Sequence, residues 1–355
     1  MTKLDKHGKA LPLSKNMTNH SFLDDRLTML LPSMKFGGME PNNSQQAVAL
    51  SVAKLVTQRI TTKTISNRTM IQMPAGMGKS LVIGLLTGLL ETAFTTVTLL
   101  YSDKDLRDFE VDMVAGLKTL LSDKELNVIA KEELTETNDR GHPVLDVPHG
   151  SLVIVDEADS LFLDSYCQIS GDGAVVGLTA TSADAMHSYE QTHMLVTMAF
   201  QFIQSGMEAA AVEDNVMEVA SFDEFFVTSP GVAHIVYCSE AAVEQVEEAA
   251  RKHVAEAIIR RNGCTRKDLH GNTERNVVVV TEERLMRGFD YRAPMVGFAL
   301  LIAKKLSSRR AFRQALGRAG RMGEQGQWAK MVGVVGYPEG GTKASADILR
   351  RYMTE

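Results

Sequence analysis

The chain of 355 residues contains one tryptophan, three cysteines and no apolar run approaching the roughly 18 residues of a membrane-spanning helix. Each scarcity excludes something. Cys167, Cys238 and Cys264 are odd in number, far apart and never grouped as C-x-x-C, which argues against a disulfide framework and against a zinc site and fits a reducing setting. The N-terminus carries Lys3, Asp5, Lys6 and Lys9 but no apolar signal-peptide core. The expectation is a soluble, untargeted intracellular protein, cytoplasmic or nuclear. Aromatic residues are only 6%, so Trp328 offers little for stacking on bases. A formal net charge of -6 gives no global attraction to nucleic acid and leaves that task to a local patch. What is present is ample apolar material, 44% of residues, in a length sufficient for two domains with separate cores.

Two motifs carry the chemistry. The first is Met73-Pro74-Ala75-Gly76-Met77-Gly78-Lys79-Ser80. A phosphate-cradling loop needs glycines so that successive backbone N–H groups can face the phosphates, a lysine to neutralise them and a hydroxyl for Mg²⁺. Met73 stands where the consensus loop has its first glycine, so the pattern is matched in its second half, and a Gly-rich turn before a helix is the bland alternative. The context favours nucleotide: 69–72 reads as a strand and 81–92 as an apolar helix, placing the loop at a helix N-terminus. The second motif follows the apolar run Leu152-Val153-Ile154-Val155 with Asp156-Glu157-Ala158-Asp159. One acid at such a strand end can hold Mg²⁺ while the next orients a water. Asp156 and Glu157 take those roles, with ATP as substrate.

The organisation is that of an α/β protein with parallel sheets flanked by helices. Residues up to about 19 are polar, and order is expected from about Asn42. Strands at 70–73, 96–101, 127–130, 152–155 and 177–181 alternate with helices at 47–56, 81–91 and 107–121, a βαβ rhythm. Residues 186–228, rich in Met, Ala and acids, read as a helical connector ending in a hinge at Ser229-Pro230-Gly231. Alternation resumes with strands at 233–238, 276–281, 296–302 and 330–336, helices at 241–261 and 309–319, and a last helix from about Lys343. The expected units are an arm at 1–41, partly disordered, a first lobe at 42–185, the connector at 186–231 and a second lobe at 232–355.

Three further constellations follow. Thr179 and Thr181 close a strand just after the acids; isolated, they would be ordinary strand residues. The turn 281–290 holds Arg287-Gly288-Phe289-Asp290 and suits either a loop or a contact between lobes. In Gln314-Ala315-Leu316-Gly317-Arg318-Ala319-Gly320-Arg321, two arginines three residues apart share a helix face. That face suits an arginine finger, since guanidinium bridges phosphate oxygens bidentately, although a solvated basic helix or a nucleic-acid face has the same pattern.

In this order the motifs resemble those of the superfamily 2 DExD/H-box helicases and translocases, over about residues 42–338. The resemblance implies two tandem RecA-like lobes of the P-loop NTPase type with ATP and Mg²⁺ in the cleft between them, and an ATP-hydrolysing motor. It implies that Ala75, Gly76, Met77, Gly78 and Lys79 hold the phosphates, that Ser80 and Asp156 hold Mg²⁺ and that Glu157 positions the water. Asp159, Thr179 and Thr181 would couple the site to lobe closure. Gly288, Asp290, Gln314, Arg318 and Arg321 would complete it from lobe two, and Gln46, with Gln45 as alternative, would read adenine. The branch differs from the DEAD-box RNA helicases: Ser102-Asp103-Lys104-Asp105-Leu106-Arg107 replaces P-T-R-E-L-A, and Gln314-Ala315 replaces the H-R of motif VI. Residues 102–110, 153–164 and 317–326 are more similar to the SecA motor. The short spacing from Asp156 to Thr179 leaves no room for SecA's preprotein-binding insertion, and the chain ends soon after motif VI, so a bare motor core is expected.

For the polymer, residues 287–323 concentrate Arg287, Arg292, Lys304, Lys305, Arg309, Arg310, Arg313, Arg318 and Arg321 against the single acid Asp290. This patch favours RNA or single-stranded DNA. An unfolded polypeptide is the alternative substrate, and an ATP-gated interaction switch, with or without a protein partner, is a third reading.

Overall fold

The computed structural model describes residues 20–34, 40–62, 67–74, 76–120, 126–180, 200–205, 216–229, 233–261, 276–287, 298–318 and 327–334. The first lobe runs α1 (His20–Leu30), α2 (Asn43–Thr62), β1 (Arg68–Gln72), α3 (Lys79–Leu90), β2 (Thr96–Tyr101), α4 (Lys104–Phe109), α5 (Val111–Leu120) and β3 (Leu126–Ala130). It continues through β4 (Val144–Asp146), β5 (Ser151–Val155), a π-helical turn at Ser160–Asp164, β6 (Gln168–Ser170), β7 (Ala174–Thr179) and β8 (Gln201–Gln204). Six of these strands form one sheet in the order β3-β2-β5-β7-β1-β8, with every pairing parallel. Because β1 and β5 both flank β7 and all three point the same way, the loop after β1 and the acids after β5 emerge at one edge. That carboxyl edge is where open parallel sheets bind ligands.

Burial on both faces explains the composition of these strands. Every residue of β7 is buried, and a Cβ on Gly177 would come within 2.7 Å of the Ala158 Cβ and 2.9 Å of Met70 Sδ. Glycine there lets the acidic segment lie directly on the sheet. Helix α3 is apolar around its whole circumference and buried from Leu81 to Leu90, as a helix enclosed by a sheet and other helices must be. Its cover includes α1, whose Leu23, Leu27 and Leu30 join Met34 in the lobe-one core. Order therefore begins well before Asn42. Helix α1 follows the polar first 19 residues and sets Leu30 against Gly88, and Arg26 clamps it by bonding the Gly88 carbonyl and Glu91.

The second lobe comprises β9 (Val216–Val219), α6 (Phe222–Thr228), β10 (Ala233–Tyr237), α7 (Val243–His253), β11 (Ile258–Arg261), β12 (Asn276–Val280), β13 (Phe298–Ile302), α8 (Arg309–Leu316) and β14 (Gln327–Met331). Its sheet, also parallel throughout, has the order β11-β12-β10-β13-β14-β9. The Val277–Val280 run lies in β12, between β11 and β10, and is buried.

Several local expectations change. The connector supplies a strand to each sheet, β8 to the first and β9 to the second, where helices were expected. Pairing at sheet edges outweighs the helix propensity of that composition. The single helix expected at 107–121 breaks at Glu110, whose φ of -84° and ψ of 13° leave the helical basin. The helix expected at 241–261 stops at His253; Val254 is extended and Ile258–Arg261 becomes an edge strand against β12. The last strand sits earlier than expected, since Trp328 and Ala329 supply its buried face and Gly333 turns the chain with φ of +79°. The helix expected from Lys343 lies outside the described residues.

Candidate functional site

The phosphate loop forms as its glycines require. Gly76 and Gly78 adopt φ of +81° and +76°, the left-handed region that side chains disfavour. Gly78 is the N-cap of α3, so Lys79 and Ser80 open that helix with their backbone N–H groups exposed to the loop. A Cβ on Gly78 would collide with Gln45 Nε2. Gln45 rather than Gln46 is the glutamine that touches the loop, donating to the Met77 carbonyl at 2.9 Å, while Gln46 Nε2 donates to the Pro41 carbonyl. Gln45 also caps α2 reciprocally with Asn42: each backbone N–H donates to the other's side-chain oxygen, at 2.8 and 2.9 Å. It is 1% exposed, so the α2 cap and the phosphate loop form one rigid unit.

The acids meet this loop from β5. Glu157 has φ of +49°, a left-handed conformation rare for a residue with a side chain and found where a site over-determines the backbone. Its carboxylate pairs with Lys79 Nζ at 2.8 Å. Asp156 accepts the Glu157 N–H at 2.9 Å. Burial first, and then repulsion from Glu157, push the Asp156 carboxyl up to about 7 against the pull of Lys79. Such a group is short of positive charge and is suited to a cation. Ser80 Oγ donates to Glu110 Oε1 at 2.8 Å. A serine hydroxyl, a carboxylate short of positive charge and a loop with two left-handed glycines are residues whose chemistry fits a Mg²⁺-nucleotide.

Asp159 belongs to a different network. Burial raises its carboxyl, but Arg310 and Arg287 outweigh that penalty, helped by a hydrogen bond from Thr179, and it is held below the usual carboxylate range. The Met73 N–H donates to the Thr179 carbonyl at 2.8 Å, so Thr179 ties the acidic segment to the phosphate loop. From lobe two, Arg310 Nη1 donates to the Asp159 carbonyl at 3.1 Å and Nη2 pairs with Asp164. Arg287 Nη1 reaches the other oxygen of Asp164 at 2.6 Å. Gln314 Nε2 lies 3.0 Å from Asp159 Oδ2 and 3.3 Å from Glu157 Oε2. Helix α8 thus presents Arg310 and Gln314, one turn apart, to lobe one while Ala311, Phe312, Ala315 and Leu316 pack into lobe two. Arg318, 3% exposed, donates to the Gln314 carbonyl at 3.2 Å.

Of the residues expected at the site, the structure gathers Gly76, Met77, Gly78, Lys79, Ser80, Asp156, Glu157, Asp159, Thr179 and Gln314. Ala75, Thr181, Gly288, Asp290 and Arg321 lie outside the described residues. Sequence reasoning did not single out Glu110 or Asp164, each an acid in a stretch rich in charge. It placed Arg310 in a polymer-facing patch, and Arg287 both there and in a turn suited to a contact between lobes; both are paired with lobe-one acids and withdrawn from solvent. Burial pushes the Cys167 thiol up to about 12 and the Cys238 thiol up to about 11, so neither is a nucleophile. Among the described residues no helix is long and apolar enough to cross a membrane.

No protein-family model and no curated protein matches the sequence. Solved structures do. Dbp5 of S. cerevisiae bound to RNA and ADP BeF3 is 14% identical with a TM-score of 0.55, over 95% of this chain and 93% of that one. A variant of S. cerevisiae Dbp5 bound to Gle1 and IP6 is 15% identical with a TM-score of 0.56, over 94% and 91%. RecG bound to a three-way DNA junction is 17% identical with a TM-score of 0.51, over 94% of this chain and 46% of that one. At such identities the likeness is one of fold, and the fold is that of two tandem RecA-like lobes, each a parallel sheet flanked by helices, shared with Dbp5 and RecG.

Proposed function

We propose that this chain is an ATP-dependent superfamily 2 motor that hydrolyses ATP between its lobes and couples turnover to a nucleic acid. The observation that carries the reading is the meeting of Gln314 with Glu157 and Asp159 beside the Lys79–Glu157 pair, which puts a lobe-two helix on the acids behind the phosphate loop. Lys79 is the group that would exchange Glu157 for a γ-phosphate, releasing Glu157 to orient the attacking water. Ser80 and Asp156 would hold Mg²⁺, which supplies charge neutralisation at the β- and γ-phosphates. The N–H groups around Ala75, Gly76, Met77 and Gly78 would cradle those phosphates, and Gln46, with Gln45 as the alternative, would read adenine. Arg318 and Arg321 are the candidates for stabilising charge as it develops. Gly288 and Asp290 complete the lobe-two side, and Thr179 and Thr181 couple the site to lobe closure through Asp159. The two units are taken as lobe one up to Ser205 and lobe two from Val216, from the sheets their strands join.

With Arg287 and Arg310 engaged in the interface, polymer contacts fall to the remaining cations. Lys304, Lys305 and Arg284 line a shallow groove of about 680 Å³ together with the acids Glu282 and Glu283, and Arg284 is paired with Glu282. Lys304 sits 5.5 Å from the Tyr237 ring centroid. The RNA named for Dbp5 and the DNA junction named for RecG make both polymers candidates, with Lys304 and Lys305 as the lobe-two cations that would meet a phosphate backbone. The polypeptide reading is retained because Asp164, in the stretch similar to SecA, receives both interface arginines. The test is steady-state ATP turnover by the full chain alone and with single-stranded RNA, single-stranded DNA or an unfolded polypeptide, with Lys79→Ala as blank. Stimulation by a nucleic acid is expected, whereas stimulation by polypeptide alone would replace the nucleic-acid reading with the second one. Wild-type turnover no higher than the blank would overturn both.

A further inference from the structure

Glu110 occupies the break between α4 and α5, where a continuous helix would otherwise carry its side chain along the surface. Instead its half-buried carboxylate accepts the Ser80 hydroxyl at 2.8 Å. A hydroxyl that ligates a cation through its oxygen must send its proton to an acceptor elsewhere, and a carboxylate fixed at hydrogen-bond distance is a strong one. A second group points into the same space. Tyr101, at the carboxyl end of β2 and 1% exposed, buries its hydroxyl without a hydrogen-bond partner among the described residues. The Asp156 N–H donates to the Leu100 carbonyl at 2.9 Å, so Tyr101 directly follows the residue that holds the acidic segment to β2; the phenol is pushed well above its ordinary range by burial first and then by Glu110 and Asp156. A buried, unsatisfied phenol is destabilising, and a bound group or its water offsets that when it supplies the missing bond.

We propose that Glu110 is a positioning residue for the cation, holding the Ser80 hydroxyl with its lone pairs turned toward Mg²⁺, and that Tyr101 donates to the water shell of the same ion. The proposal rests on the reading of Ser80 and Asp156 as the Mg²⁺ site. It adds a third carboxylate, from α4–α5, acting through Ser80 rather than on the nucleotide. Outer-shell partners of this kind are worth roughly 10- to 100-fold in metal affinity.

The test is the affinity of the full chain for a fluorescent ADP analogue, titrated with Mg²⁺ and again with a chelator, and the affinity for Mn²⁺ followed by its electron paramagnetic resonance in the presence of ADP. The wild-type chain is expected to bind the analogue more tightly with Mg²⁺. Glu110→Gln should lose roughly 10- to 100-fold in Mn²⁺ affinity and most of the Mg²⁺-dependent tightening, with chelator affinity unchanged. Glu110→Asp should recover part of it, and Tyr101→Phe should lose less than Glu110→Gln. Unchanged Mn²⁺ affinity in Glu110→Gln, or an equal loss of affinity with and without metal, would overturn the proposal. Failure of the wild-type chain to bind the analogue at all would instead overturn the nucleotide site on which it rests.

Discussion

The two helices that carry charge to the cleft are built in opposite ways. Helix α3 opens with Lys79 and Ser80 and is otherwise buried in its own lobe, so its chemistry is set by backbone geometry at its first turn. Helix α8 is strongly two-faced: one side packs on Phe312 and Trp328, whose rings meet edge-on at 5.3 Å, and the other sends Arg310 and Gln314 into lobe one. Lobe one therefore assembles its phosphate loop and acids without help. The buried cations of lobe two acquire their partners only when the lobes meet, which makes them sensitive to closure.

The comparison can be broken at its strongest point first. Lys79→Ala should reduce ATP turnover by roughly 10³-fold or more while leaving the fold intact, checked by turnover beside thermal melting. Arg310→Ala should act on closure instead: Asp159 and Asp164 lose their shared guanidinium, at a cost of about 3–5 kcal/mol for a buried pair broken on one side. Small-angle scattering should register a larger radius of gyration. Arg310→Lys should not restore the closed form, because an ammonium cannot span both acids as the planar fork does.

Lobe two also carries the molecule's clearest pH dependence. His234 lies against Phe225 and Phe226 and its Nε2 bonds the Ser229 carbonyl at 2.8 Å. Burial lowers it to about 4 from the ordinary 6.5. The folded state thus refuses a proton that the unfolded chain accepts below pH 6.5. Stability is full above that value and falls as pH drops toward 4, by roughly 3 kcal/mol in total. Asp156 shifts the opposite way over the same range, so the loss is read as the difference between the wild-type chain and His234→Gln in the change of melting from pH 7 to pH 4.5: His234→Gln should lose less on acidification. The smallest effect is expected at the N-terminal clamp of lobe one. Arg26→Ala removes the bonds to Gly88 and Glu91 and should cost about 1 kcal/mol in chemical denaturation.

Legibility in the sequence followed the same division. Lobe one's site was readable because its groups lie within short runs at strand ends: residues 73–80 and 156–159 needed only the βαβ rhythm to be placed together. The parallel, two-lobed α/β architecture was readable from the same alternation. What escaped depended on contacts far apart in the chain. Arg310 read as a polymer-facing cation, and Arg287 as either that or a contact between lobes, until Asp159 and Asp164 met them from the other lobe. The strand nature of Gln201–Gln204 and Val216–Val219 comes from the sheet edges they complete. Leu23, Leu27 and Leu30 follow the polar first 19 residues and became core only on joining Met34 in lobe one, and Glu110 gained meaning only from a helix break that composition does not announce.

The most direct test of hydrolysis at the acid pair is Glu157→Gln, with nucleotide binding and turnover measured on the same preparation. The account predicts ATP bound about as well as by the wild-type chain and no detectable hydrolysis. Turnover at the wild-type rate would contradict the assignment of the water-orienting role to Glu157.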